Sequence, residues 1–396
     1  MNLLFVNDIP FNPIGGGLER VTDVLSKELI KRGHNVYYLC GKLPDSRLFL
    51  LDYPFPAKLF QLPNFGLFGD NENVEFYKKL LEDCKIDIVV NQRGLGGWFN
   101  GLLRITNSKK VSVIHSTPKA NIVVTLNKII QHSAPPLSGL KQIIKKTFPF
   151  IIKFYWEKKI TKGEILNYNE LAHNSNAIVT LSKADVGILK KLIKVPNQAE
   201  FGSIPNPNTF TATEVSLELK EKEVLYVGRL EKDEKEPMRL IEIWKSLERK
   251  FPNWRLRIVG DGGEKENMQQ KVKSYNLKNV FFEGRQSDVA QYYKKASFIC
   301  LTSNFEGWGM VLTEGMQYGC IPMTFNNYGA AYEIIDDGIN GCLIPAFSLK
   351  HYRNRLAELM LDDKKRNTMM VAAKEKVEEF SVETVADKWE ALFRSL

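Results

Sequence analysis

Short runs of apolar and β-branched residues alternate along this chain with longer amphipathic stretches, and glycines and small polar residues mark the joins. The short runs predict buried strands, the amphipathic stretches predict helices, and their alternation predicts parallel, doubly wound sheets. Residues 3–6 read as a strand and 12–20 (NPIGGGLER) as a glycine turn leading into a helix over 21–32. Gly33 closes that helix and 35–40 resumes as a strand, giving a βαβ unit. Further strands are expected at 86–91, 111–115 and 177–181, the last followed by Ser182 as N-cap of a helix to 193. From residue 223 the rhythm is regular. Strands VLYVGRL, LRIVGDG, VFFEG, FICLTS and CIPMTF alternate with helices at 237–250, 265–275, 288–296 and a short one stopping at Tyr318-Gly319. Two long amphipathic helices reach Phe380, and 381–396 forms another with Val385, Trp389, Leu392 and Phe393 on one face.

With 396 residues the chain exceeds one ordinary core and suits two domains of similar size. The Pro-Asn run at 204–208 and the polar residues to 214 read as a linker, which places the domains at 1–208 and 209–380. Composition is that of a soluble globular protein at 44% hydrophobic, without a long apolar run or a basic leader. The five cysteines are scattered and lack a Cys-x-x-Cys pair, as expected of thiols in a reducing, cytoplasmic compartment. Charge is concentrated: of the net +9, +8 falls in residues 119–162, which hold nine lysines and one acid. A single basic element argues against a nucleic-acid binder. Lysines interleaved with Ile, Phe, Tyr and Trp there describe either an interfacial segment making a peripheral membrane contact or a helical hairpin with solvated lysines.

The stretch with the most specific chemistry is NFEGWGMVLTEGMQYG, residues 304–319. A strand, a glycine loop and a helix N-terminus in that order leave backbone N–H groups at Gly307, Trp308, Gly309, Met310 and Val311 free to face an anion. Glu306 and Glu314 bracket the loop. Carboxylates accept from hydroxyls while amides donate to oxygens, so the set fits a polyhydroxyl ligand carrying phosphate, such as a nucleotide sugar. Helix capping alone would also produce a strand, a glycine turn and an early Glu. Gly15, Gly16 and Gly17 lack the dinucleotide spacing and read either as a ligand loop or as a tight turn. His115 ends a strand, where ligands of such sheets gather, although a lone His is more often structural.

The motifs YVGRLEKDEKEP, RIVGDGG, FFEGR, TSNFEGWGMVLTEGMQYG, IPNPN and YGAAYEIIDDGINGCLIP, in that order and together with GGGLER and VIHS, resemble the retaining nucleotide-sugar glycosyltransferases of family four. The resemblance implies an α/β GT-B fold: two Rossmann-like domains facing across a cleft, donor on the C-terminal side, acceptor mainly on the N-terminal side, and the helix 381–396 packing back on the first domain. It implies that Arg229 and a following lysine, Lys235 in preference to Lys232, neutralise the diphosphate, that Glu314 accepts the ribose hydroxyls and that Glu306 contacts the transferred sugar. By the same resemblance Arg285 lies near the base, Gly16 and Gly17 near the phosphates, and His115 near the sugar. The alternative for Arg229 is an ion pair with a nearby Glu such as Glu231.

The expected reaction moves a hexose from a UDP- or GDP-sugar to a hydroxyl of a glycan or lipid-linked acceptor with retention, in surface polysaccharide synthesis. The sequence has no Asp-x-Asp and its five histidines lack ligand spacing, so neither a metal nor another cofactor is expected. A sugar-nucleotide epimerase of the same architecture and a non-catalytic sugar-nucleotide binder are the competing expectations. A dehydrogenase is disfavoured by the missing Gly-x-Gly-x-x-Gly.

Overall fold

The structure is a computed structural model that describes residues 1–65, 70–94, 98–118, 149–194, 198–210 and 216–396. The chain divides into two compact units, Met1–Ser203 with Leu392–Leu396, and Ile204–Ala391.

In the first unit the described strands are β1 (Asn2–Asn7), β2 (Asn35–Cys40), β3 (Lys58–Gln61), β4 (Ile88–Asn91), β5 (Lys109–Ile114), β6 (Ala177–Thr180) and β7 (Glu200–Ser203). They form one sheet in the order β3-β2-β1-β4-β5-β6-β7, and every pairing is parallel. Leu3, Leu4, Phe5 and Val6 are each fully buried. Consecutive burial along one strand requires cover on both faces, as a doubly wound sheet provides. Its α-helices among the described residues are α1 (Gly17–Lys31), α2 (Asn71–Asp83), α3 (Pro149–His173) and α4 (Lys183–Leu192). Gly33 takes φ +89°, and His34 N–H closes back onto Leu29 O, so the expected glycine stop is a left-handed turn. Ser182 accepts from Asp185 N–H as the N-cap of α4.

Two local expectations shift. Helix α1 begins at Gly17 rather than at 21, because the third glycine is already helical and Glu19 sits in the first turn, where a carboxylate complements the helix dipole. The short strands β3 and β7 at the sheet edges were not legible as alternating patterns. In the basic segment, residues 119–148 lie outside the described residues; 149–162 belong to α3, on which Tyr155, Lys158 and Lys159 are exposed.

The second unit holds β8 (Glu221–Val227), β9 (Arg255–Val259), β10 (Val280–Gly284), β11 (Ala296–Cys300), β12 (Ile321–Phe325) and β13 (Cys342–Ile344) in the order β10-β9-β8-β11-β12-β13, again all parallel. Helices α5 (Met238–Lys250), α6 (Lys265–Ser274), α7 (Ala290–Lys295), α8 (Met310–Gln317), α9 (Ala331–Ile334), α10 (Leu349–Leu361) and α11 (Asp363–Val377) accompany the sheet, and α12 (Val382–Ser395) ends the chain. The strand order reverses between β8 and β11, so ligand chemistry is expected beyond the ends of those two strands. The Pro-Asn run read as a linker is packed instead. Ile204, Asn206 and Asn208 are buried, and Asn208 Nδ2 donates to Gln317 Oε1 (2.7 Å) and Thr313 O (3.2 Å) on α8. Its amide groups supply what the proline-broken backbone lacks.

Candidate functional site

In the second unit the loop after β8 and the loop after β11 are stitched together. Asn304 N–H donates to Glu234 O at 2.8 Å, Asn304 Nδ2 donates to Asp233 O at 3.0 Å, and Thr302 Oγ1 donates to Glu236 O at 3.0 Å. Thus fixed, Lys235 Nζ donates to both carboxylate oxygens of Glu306 at 2.8 Å, and Ser303 Oγ donates to Glu306 Oε1 at 2.7 Å. Glu234 lies 3.2 Å from Lys235 and also pairs with Arg229. Arg229, Glu234, Lys235 and Glu306 are therefore one chain of alternating charge. Burial works against the charge on Lys235, but Glu306 and then Glu234 outweigh it and its pKa lies above the ordinary value. Burial likewise opposes the charge on Glu234, and Lys235 with Arg229 overcomes it, so its pKa is lowered.

Of the two lysines, Lys235 reaches Glu306 whereas Lys232 is exposed. Arg229 has a side chain 65% exposed, and its carboxylate partner is Glu234 rather than the Glu231 considered from sequence. Gly309 stands at the N-cap of α8 with φ +87° and offers no side-chain cap, so the first-turn N–H groups at Met310 and Val311 lack intrahelical acceptors. A Cβ there would come 3.2 Å from Tyr328 Oη, which keeps this turn to glycine. Trp308 is buried edge-on against Phe380 (ring centroids 5.1 Å), with its Nε1 unbonded, so the side of this residue left to a ligand is its backbone.

Glu314 is 1% exposed, one turn into α8. Tyr293 Oη donates to its Oε2 at 2.9 Å and Thr209 Oγ1 to its Oε1 at 3.2 Å. Gly307 lies in the β11–α8 loop, and Arg285 is exposed just after β10. Glu234, Ser303, Tyr293 and Thr209 escaped the sequence reading. Ser303 and Thr209 stand inside quoted or adjoining motifs and could have been suspected; Tyr293 is brought to Glu314 only by the packing of α7.

In the first unit, β1, β4 and β5 end in Asn7-Asp8, Gln92-Arg93 and His115. Arg93 Nε donates to Asp8 Oδ2 at 2.5 Å, and Asn7 Nδ2 donates to Glu19 Oε1 at 3.1 Å. His115 Nε2 donates to Gln92 Oε1, leaving Nδ1 buried and without a hydrogen-bond partner. Burial first, and the Arg93 charge second, lower the His115 pKa to about 4, so the ring is neutral at pH 7. Gly16 and Gly17 lead into α1 over Glu19. A Cβ at Gly16 would meet Glu19 Oε2 at 2.9 Å. Burial raises the Glu19 pKa against the lowering by its backbone and Asn7 hydrogen bonds. The structure thus assembles Asp8, Glu19, Gln92, Arg93 and His115 in one unit and Arg229, Lys235, Glu306 and Glu314 in the other.

Comparison with known proteins agrees with this architecture. Residues 15–207 match the family model described as Glycosyltransferase Family 4, and 210–376 match that described as Glycosyl transferases group 1. Among relatives, an uncharacterized glycosyltransferase of Haemophilus influenzae is 29% identical over 216 residues, 54% of this chain and 60% of its own. The amylovoran biosynthesis glycosyltransferase AmsD of Erwinia amylovora is 28% identical over the same shares. A Campylobacter jejuni alpha-1,4-N-acetyl-D-galactosaminyltransferase, named for a PP-undecaprenol-linked substrate, is 29% identical over 43% of this chain and 47% of its own. The matches therefore span about half to 60% of these relatives' length. Among solved structures, Anabaena HepE in complex with UDP and glucose superposes with TM-score 0.72 at 17% identity, covering 100% of both chains. The lipopolysaccharide outer core galactosyltransferase WaaB gives 0.69 at 17%, again over 100% of both. The chain belongs to the family-four glycosyltransferases and has their α/β GT-B fold.

Proposed function

We propose that this protein transfers a hexose from a nucleoside-diphosphate sugar, UDP- or GDP-linked, to a hydroxyl of a glycan or lipid-linked acceptor, with retention at the anomeric carbon and without a metal. The observation that carries the reading is the Lys235–Glu306 pair beside the uncapped start of α8, beyond the β8 and β11 ends where the strand order reverses. Glu306 is held next to donors that a phosphate or sugar oxygen can share. Arg229, exposed beside the same network, engages the diphosphate with its planar fork, and departure of the diphosphate is stabilised by fixed positive groups. Glu314, with Tyr293 and Thr209 as donors on its oxygens, exchanges them for ribose hydroxyls. His115, neutral, contributes hydrogen bonding to the sugar rather than charge. Relatives named for amylovoran and PP-undecaprenol-linked glycans support a role in surface polysaccharide synthesis.

No described helix is long and apolar enough to cross a membrane. The reading places the protein in the cytoplasm, with the basic segment around Lys158, Lys159 and Lys162 resting on an anionic membrane face. Thermal-shift screening across UDP, GDP and ADP tests the donor site, because a ligand at a hundredfold excess over its Kd stabilises by about 2.7 kcal/mol. Stabilisation by one diphosphate, followed by EDTA-insensitive consumption of its sugar conjugate and an α-configured product from an α-linked donor, is expected. No shift with any diphosphate would remove the proposal.

A further inference from the structure

Glu306 is placed by a loop, residues 301–309, that has left β11 and has not yet entered α8. Backbone in such a segment lacks ladder and helix bonds, so its carbonyls need donors from elsewhere. Three in succession receive them from side chains. Arg239 Nη1 donates to Thr302 O at 2.9 Å, and Asn327 Nδ2 donates to Ser303 O at 3.3 Å and to Asn304 O at 2.7 Å. Arg239 comes from the first turn of α5, and Asn327 from the loop between β12 and α9. Ser303 lies between these holds, and its Oγ donates to Glu306 Oε1 at 2.7 Å.

The next residue, Tyr328, serves the other end of the same loop. Its Oη stands 3.2 Å from where a Cβ on Gly309 would lie, and it donates to Thr324 Oγ1 at 3.3 Å. Burial first, and the Glu306 charge second, raise the Tyr328 pKa, so the phenol sits within the field of that carboxylate. Consecutive residues of one loop therefore bracket 303–309 at both ends. Asn327 is half-buried, and its Oδ1 is buried with no hydrogen-bond partner among the described residues. The opposite amide orientation would set Oδ1 against two carbonyl oxygens, so the donors face the neighbouring loop although Oδ1 is left unsatisfied. Both acceptors belong to the segment that carries Glu306. We infer that Asn327 is a positioning residue for transfer: by fixing the Ser303 and Asn304 carbonyls it sets the Ser303 hydroxyl on Glu306 and hence the direction of that carboxylate. The inference rests on the transferase reading above, and it gives a role to the end of β12, which that reading leaves without one.

The test uses the full chain and follows consumption of UDP-, GDP- and ADP-glucose by wild type, Asn327→Ala, Asn327→Asp, Ser303→Ala and the double variant Asn327→Ala with Ser303→Ala. Asn327→Ala should lower kcat by on the order of 10- to 100-fold, the scale of a small misplacement, with KM for the donor within about twofold of wild type and an unchanged thermal shift by the matching nucleoside diphosphate. Asn327→Asp keeps the volume and withdraws both donors, so it should fall at least as far. The double variant should be no more than about twofold slower than the slower single variant, because both act through one hydroxyl. An unchanged kcat in Asn327→Ala, a loss confined to the urea midpoint, or single effects that multiply in the double variant overturns the assignment. A wild-type chain that binds no diphosphate and consumes no donor removes the transferase reading and this inference with it. An active wild type beside an equally active Asn327→Ala removes the inference alone.

Discussion

The two sheets are wound in the same order, yet the chemistry at their carboxyl ends differs. In the second unit the charged groups satisfy one another in an unbroken line from Arg229 through Glu234 and Lys235 to Glu306, and Glu314 has donors on both oxygens. In the first, Asp8 and His115 each keep a buried atom without a hydrogen-bond partner. A saturated network is preorganised: its geometry is set before a ligand arrives. Unfilled hydrogen-bonding capacity is costly to the free protein, and a ligand that fills it removes that cost.

The comparison breaks first at Lys235. Lys235→Ala leaves Glu306 buried with the Ser303 hydroxyl as its side-chain donor, and is expected to cost about 3 kcal/mol of stability and on the order of 100-fold or more in transfer, measured by urea unfolding and donor consumption. Arg229→Ala should be as damaging to transfer while changing stability by less than about 1 kcal/mol, since its pair with Glu234 is solvent-exposed. Equal losses of stability in the two variants would mean that the line of charges is structural throughout.

In the first unit His115 gives a pH signature. Its folded pKa is depressed to about 4 from 6.5, so between those values the unfolded chain binds more protons and stability falls as pH is lowered. His115→Gln should remove a component on the order of 2–3 kcal/mol from the difference in unfolding free energy between pH 7 and pH 4. An unchanged acid limb would place the ring in water. The smallest effect is at Glu19. Its raised pKa means that its contribution is full below the unfolded value and is lost as pH rises, so Glu19→Gln should increase the urea midpoint at pH 8 and leave it unaltered at pH 4.

Much of this was written locally. The β2 strand, the Gly33 stop and the Ser182 cap depend on neighbours a few residues away, and each is found at its expected place. So is the halt of α8 at Tyr318-Gly319, where Gly319 takes φ +79°. The edge strands β3, β7 and β13 lie outside the expected strands because their few residues become strands through pairing with a neighbour, not through their own pattern. The Pro-Asn run looked like a linker because proline excludes regular structure, whereas its asparagines are satisfied by α8 more than a hundred residues later.

At the site, the residue types of 304–319 are enough to expect a phosphate-bearing polyhydroxyl ligand, since backbone donors, carboxylates and helix start are all set by short-range sequence. Which lysine meets Glu306, which carboxylate holds Arg229, and that Tyr293 reaches Glu314 depended on how separate loops are brought together. Short-range pattern determines the elements and their capping because those energies act within a turn or two. Partner choice among charges was decided by tertiary structure alone, because the distance between two side chains, on which their interaction depends, is set by the whole sheet and not by their spacing in the chain.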